Sequence, residues 1–293
     1  MKGGWRLDSI DINHRTRYAY RQPVQFTSHR LLLRPRESRD VRVLAYDLDV
    51  TAGAALRWSQ DVSGNAVAVA TFAGLAQELL VESRARVELG ARPYPVFDIA
   101  ASAIQFPFRY SDDEWVDLGA LSALPEDGGG RLRAWAQGFV AATPTDTLSL
   151  LKDLNTGTGH AVAYEAREDQ GTQSPAETLS RARGSCRDIA TLFIEAVRSL
   201  GFGARAVSGY LHDPLRTLLG SADAGSTHAW AEVYLPGAGW ITFDPTNNRV
   251  GAADLIPVAV SRDIRLALPV TGSYFGAPDA FESLSVEVSV KAV

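Results

Sequence analysis

Two different periods divide this chain. From Ser9 to about Phe108, short β-rich or alternating stretches such as "YDLDVTAG", "NAVAVATF" and "LLVESRARVEL" are broken by turn signals such as "DVSGN". That pattern predicts an antiparallel β-sandwich. Beyond "LPEDGGG" (Leu124 to Gly130) the period becomes helical: "RLRAWAQGFVAA" spaces Leu132, Trp135 and Phe139 along one face, and "TDTLSLLKDLNTG" does the same with Asp146 near its start. Ser174 before Pro175, with Glu177 three residues on, predicts an N-cap, a proline at the first helical position and a capping box, for a helix ending at Gly184.

The strongest amphipathic pattern follows in "RARGSCRDIATLFIEAVRSLG". Ile189, Leu192, Phe193, Ala196, Val197 and Leu200 form an apolar face, Asp188, Thr191, Glu195 and Arg198 the polar one, and Gly201 supplies the stop. Three strands are then predicted, Ala204 to Leu211, His228 to Leu235 and Trp240 to Asp244, the last two joined by "PGAG". "SLSVEVSV" (Ser283 to Val290) also alternates and is expected to complete a sheet. These patterns predict an α+β protein: a β-rich region over 1–115, a core over 116–250 and a C-terminal β segment over 251–293.

Composition narrows the function. The net charge of −5, with 29 Lys and Arg against 34 Asp and Glu, lacks the positive field that nucleic acid demands. The longest nearly apolar run, Ala66 to Ala76, is too short to cross a bilayer, and "MKGGWRLDSIDINHRTRY" lacks the apolar core of a signal peptide. A cytoplasmic protein with no membrane or nucleic-acid partner is expected. Its single cysteine allows no internal disulfide and excludes zinc or iron–sulfur sites built on several thiolates. No HExxH motif is present, and neither a metal nor a cofactor is expected.

That cysteine, Cys186, directly precedes the apolar face of its helix, where unpaired N–H groups and the positive end of the helix dipole favour a thiolate. His228 lies 42 residues on and Asp244 another 16, in the order of nucleophile, base and orienter. Alternation puts His228 on the strand face of Trp230, Glu232 and Tyr234, and Asp244 on the face of Trp240 and Thr242. If Tyr234 lies opposite Trp240, Asp244 falls diagonal to His228, within side-chain reach; a one-residue slip would turn it away. A turn aspartate and a strand-end histidine are the plain alternatives.

These stretches also carry a resemblance. "RGSCRDIATLFIEAVRSLGFGARAVSGYL", "THAWAEVYLPGAGWITFDPTN" and "VAVSRDIRLALPVTGSYFG" resemble the bacterial transglutaminase-like superfamily, and "HRTRYAYRQPVQFTSHRLLLRPRE" with "GNAVAVATF" is similar to the β-rich N-terminal domain of its bacterial members. The resemblance implies a papain-like, transglutaminase-like core behind an antiparallel β-sandwich, with Cys186 as nucleophile, His228 as base and Asp244 as orienter. Ser185 and Ser261 depart from the commoner family residues without touching that triad.

The implied reaction is acyl transfer on peptide or protein amides through a thioester, ending in transamidation, deamidation or hydrolysis. A non-catalytic peptide- or protein-binding module on the same fold is the alternative. The backbone N–H of Cys186 is one expected oxyanion donor; Tyr164 and Trp230 are candidates for the second, with His160 and His212 weaker. Arg181, Arg183 and Arg187 surround the cysteine as an acid-favouring cluster or a solvated face. His14 and His29 are expected to be structural. The acyl donor, the acceptor and the oligomeric state are not legible.

Overall fold

The computed structural model describes residues 8–51, 53–92, 95–124, 130–166, 171–212 and 225–293. Most of the expected separator, 125–129, lies outside them.

The N-terminal strands are β1 (Asp8–Phe26), β2 (His29–Leu31), β3 (Val41–Val50), β4 (Ala55–Gln60), β5 (Ala66–Thr71) and β6 (Leu75–Leu89). Two short strands, β7 (Gln105–Phe106) and β8 (Thr145–Asp146), pair where the chain enters the helical region. The helices are α1 (Asp112–Leu118), α2 (Arg131–Gln137), α3 (Thr147–Ala161), α4 (Pro175–Arg181) and α5 (Cys186–Ser199). Between them β9 (Ala163–Tyr164) pairs in parallel with β10 (Arg183–Gly184). The remaining strands are β11 (Ala204–His212), β12 (Gly225–Leu235), β13 (Gly239–Asp244), β14 (Arg249–Val250), β15 (Leu255–Ser261), β16 (Val270–Thr271), β17 (Tyr274–Phe275) and β18 (Phe281–Ala292).

The sandwich has one sheet in the order β17-β1-β6-β3, with β18 also paired to β1, and a second in the order β16-β2-β5-β4. Alternation fills the space between them with Tyr20, Val24, Phe26, Leu31, Ala68, Ala70, Leu79 and Val81, all buried. The core sheet runs β14-β13-β12-β11-β15, antiparallel throughout. Ser283–Val290 does complete a sheet, that of the sandwich, while other strands of residues 251–293 join other sheets. β15 belongs to the core sheet, whereas β18 returns to the sandwich to pair with β1, from Ile10 opposite Ala292 to Tyr20 opposite Phe281.

The core sheet has two covered faces. On one, Ile189, Leu192, Phe193, Ala196 and Val197 of α5 share a cluster with Ala229, Ala231, Val233, Ile241 and Phe243. Each large apolar side chain buried there contributes about 1.5–3 kcal/mol. On the other, Tyr210, Ile256 and Val258 meet Ile10, Ile12, Val87 and Val290 of the sandwich. Asn65 joins the two regions like a strand residue: its Nδ2 donates to the Val260 carbonyl at 2.8 Å and its Oδ1 accepts from the Val260 N–H at 2.9 Å.

Two local expectations are corrected. The helix expected to reach Gly184 stops at Arg181, because Ala182 takes a left-handed φ of 51° and Arg183–Gly184 leave to pair with Ala163–Tyr164. The polar face of α5 is only partly solvent-facing, since Asp188 and Arg198 are buried. Arg198 directs its guanidinium to the carbonyls of Leu121, Ala204 and Arg262 and to Glu195, where the ends of helical turns and strands would otherwise leave acceptors unpaired.

Candidate active site

The turn before α5 is built by one carboxylate. Asp188 Oδ2 accepts from both the backbone N–H and the hydroxyl of Ser185, each at 2.8 Å, and Oδ1 accepts from the Gln173 N–H at 2.7 Å. Gly184 is required beside it, because a Cβ there would stand 2.8 Å from Asp188 Cβ. This framework places half-buried Cys186, a free thiol, as the first residue of α5. Its backbone N–H is among the helix-terminal donors that have no intrahelical acceptor.

His228 comes from β12 and Asp244 from the end of β13. Tyr234 lies opposite Trp240 in that ladder, the register on which their meeting depends. His228 Nε2 is 2.9 Å from Asp244 Oδ2, with both residues buried. Cys186 interacts with the same imidazole and favours its charged form, and with Nε2 turned to the carboxylate, Nδ1 is the nitrogen left for it. Trp230 stacks on the ring at 5.9 Å between centroids and 28° between planes.

The electrostatics follow from this arrangement. Burial disfavours a charged imidazole, but the hydrogen bond it donates to Asp244 and the adjacent Cys186 outweigh it, so His228 is pushed up to about 9. For Asp244 burial works against the carboxylate, and the hydrogen bonds from His228 and Asn247 prevail to hold it below the usual carboxylate range. Such a site can keep a proton on His228 beside a nucleophile and deliver it later.

Asn247 was not anticipated. Its Nδ2 donates to Asp244 Oδ2 at 2.7 Å and its backbone N–H to Oδ1 at 3.2 Å. In sequence it is one polar residue in "DPTNN", a composition that signals a turn and nothing more.

The other candidates separate. Tyr164 stands beside Gly184 in the β9–β10 ladder, two residues from the cysteine, and is 60% exposed. Trp230 is buried behind His228 and supports the ring from the side. Arg181 pairs with Glu177 at 2.8 Å. His160 is exposed on the last turn of α3, and His212 is buried at the end of β11. His14 is buried between Tyr210 Oη and Thr16 Oγ1, each at 3.0 Å, and His29 bonds to the Thr27 carbonyl and packs on Phe26 and Phe72.

Comparison with known proteins agrees with this layout. The bacterial transglutaminase-like N-terminal region matches residues 10–88, and the transglutaminase-like superfamily core matches residues 133–245. An uncharacterized protein of Mycobacterium tuberculosis is 27% identical over 292 residues, covering 94% of this chain and 91% of that one. An uncharacterized protein of Mycobacterium leprae is 34% identical over 113 residues, which are 39% of this chain and 40% of that protein. Among solved structures, a candidate cysteine protease from Cytophaga hutchinsonii shares the fold with a TM-score of 0.73 at 20% identity, covering 98% of this chain and 91% of that one.

Proposed function

The chain belongs to the transglutaminase-like superfamily, with the bacterial N-terminal region ahead of its core, and from that premise we propose that it transfers acyl groups from peptide or protein amides through Cys186. The observation that carries this reading is the convergence of a helix-terminal thiol, a buried imidazole and a buried carboxylate.

The reaction starts from the Cys186 thiolate beside the His228 imidazolium. Sulfur attacks the amide carbonyl carbon, a C–S bond forms, and the carbonyl electrons move onto oxygen. The Cys186 N–H at the helix terminus stabilises that oxyanion, with Tyr164 as the adjacent candidate for a second donor. The C–N bond then breaks as His228 gives its proton to the departing amine, leaving a thioester and a neutral imidazole. A second amine or water attacks the thioester, His228 takes the proton from it, and collapse returns the thiolate. Asp244 stays ionised, fixing the ring's tautomer and stabilising the imidazolium.

The test is intact-mass spectrometry after incubation with a library of peptide amides. An acyl adduct on Cys186 in wild-type protein, absent in Cys186→Ala and accumulating in His228→Ala or Asp244→Asn only slowly, is the expected result. No adduct with any member, alongside reversible peptide binding that survives Cys186→Ala, would favour a binding module.

A further inference from the structure

The loop after β13, 245–248, faces two ways. Toward α3 it is anchored: Asn248 Oδ1 accepts from Thr156 Oγ1 at 2.7 Å and Asn155 Nδ2 at 3.3 Å, and Asn248 holds a left-handed φ of 52°. Gly159 of α3 lies so close that a Cβ would stand 2.5 Å from the Pro245 carbonyl oxygen. Toward the site, Asn247 presents two donors to the same carboxylate, its amide to Asp244 Oδ2 and its backbone N–H to Oδ1.

Asn247 Nδ2 is also 3.3 Å from His228 Nε2. With Nε2 protonated toward Asp244, both nitrogens are donors, so this proximity is no bond between them. They converge instead on one oxygen, Oδ2. Each carboxylate oxygen then has a fixed donor on the loop side, which leaves the carboxyl plane no freedom to rotate about its Cβ–Cγ bond. Asn247 is itself solvent-exposed, whereas the Asp244 it caps is wholly buried. Its hydrogen bonds also help hold Asp244 in the ionised form.

We propose that Asn247 is a positioning residue, which, in a loop anchored on α3 through Asn248, holds the Asp244 carboxylate in the one orientation that keeps the His228 ring beside Cys186. This rests on the acyl-transfer reading above. The groups that set the charge on His228 are Asp244 and Cys186; Asn247 carries no charge and acts on the ring through Asp244. Losing its amide leaves Oδ2 with His228 in place of two converging donors, loosens the His228–Asp244 bond and lets the imidazolium lose its proton at lower pH.

The test is a side-chain NMR titration of His228 in the full chain, run on wild type, Asn247→Ala and Asn247→Leu. Leucine has the same branched four-atom side-chain shape as asparagine and keeps the cover while removing the amide donor. Because residue 247 is exposed, both variants are expected to melt within a few degrees of wild type. The wild-type midpoint near 9 is expected to fall by roughly one pH unit in both variants. A wild-type midpoint in Asn247→Leu, whether or not Asn247→Ala shifts, would overturn the proposal, since cover and not donation would then be what matters. The titration needs no turnover, so a wild type that forms no acyl adduct contradicts the functional reading, while an unshifted Asn247→Leu contradicts this inference alone.

Discussion

His228 Nε2 meets Asp244 Oδ2 at 2.9 Å just past the paired part of the β12–β13 ladder, whose last matched residues are Ala231 and Phe243. The bond therefore joins the end of β13 to the interior of β12, and the register that sets Tyr234 opposite Trp240 brings the two side chains together. It gives the folded state a titratable group whose charge is stabilised by folding, and it fixes which ring nitrogen is free for Cys186.

The first consequence is a loss of stability in alkali. The folded His228 titrates at about 9, above the unfolded value of about 6.5. Its contribution is complete below about 6.5 and is lost as pH rises through about 9. This amounts to on the order of 3 kcal/mol. Urea denaturation between pH 6 and 10 should show wild type losing stability over that window and His228→Gln losing distinctly less. Parallel curves would mean that the pair is not ionised as described.

His14 has the opposite sign. Buried where the sandwich meets Tyr210, it is pushed down to about 4 by desolvation, so its contribution is complete above about 6.5 and is lost as pH falls toward 4. Wild type should weaken through that acid window, and His14→Gln, which keeps hydrogen-bonding groups without titrating, should flatten the curve. An equal acid limb in both proteins would remove His14 as its cause.

Asp188 serves three donors from one buried carboxylate. Asp188→Ala strands the Gln173 and Ser185 N–H groups and should cost about 3 kcal/mol. A chemical denaturation midpoint unchanged from wild type would show that water replaces the carboxylate in the turn before Cys186.

Gly209 lies opposite His228 in the β11–β12 ladder, and a Cβ there would stand 2.1 Å from the Ile256 carbonyl oxygen and 2.7 Å from Trp230 Cη2. The carbonyl is sheet backbone and cannot swing aside. Gly209→Ala should cost roughly 3 kcal/mol or more, lowering the melting temperature by about 6 °C or more, and should disturb the Trp230 ring that supports His228. A variant melting with wild type would mean that β15 shifts freely.

Local pattern made much of this legible. Alternation along His228–Leu235 and Trp240–Asp244 assigns each residue to a sheet face, and the 3.6-residue period of 189–200 assigns the helix face that covers one of them. What pattern missed depends on partners distant in sequence. Asp188 and Arg198 read as solvent-facing on a helical wheel, because nothing local reveals that Gln173 and the Ala204 and Arg262 carbonyls come to meet them. The split of 251–293 was hidden for the same reason: Ser283–Val290 alternates as a strand, but its pairing with β1 is set by the sandwich and not by its neighbours. Asn247 looked like turn chemistry because a turn residue and a carboxylate clamp use the same amide.

If His228 and Asp244 hold Cys186 as a nucleophile, the pH dependence of its alkylation reports it. An ordinary thiol near pKa 8.5 is almost wholly protonated at pH 6. Iodoacetamide should label the single cysteine of wild-type protein readily at pH 6, as read by intact mass. His228→Ala should move that reactivity to alkaline pH, and Asp244→Asn should move it part of the way, since the base remains while its orientation and charge support are lost. Identical profiles for wild type and His228→Ala, both with a midpoint near 8.5, would make Cys186 an ordinary thiol and contradict the account.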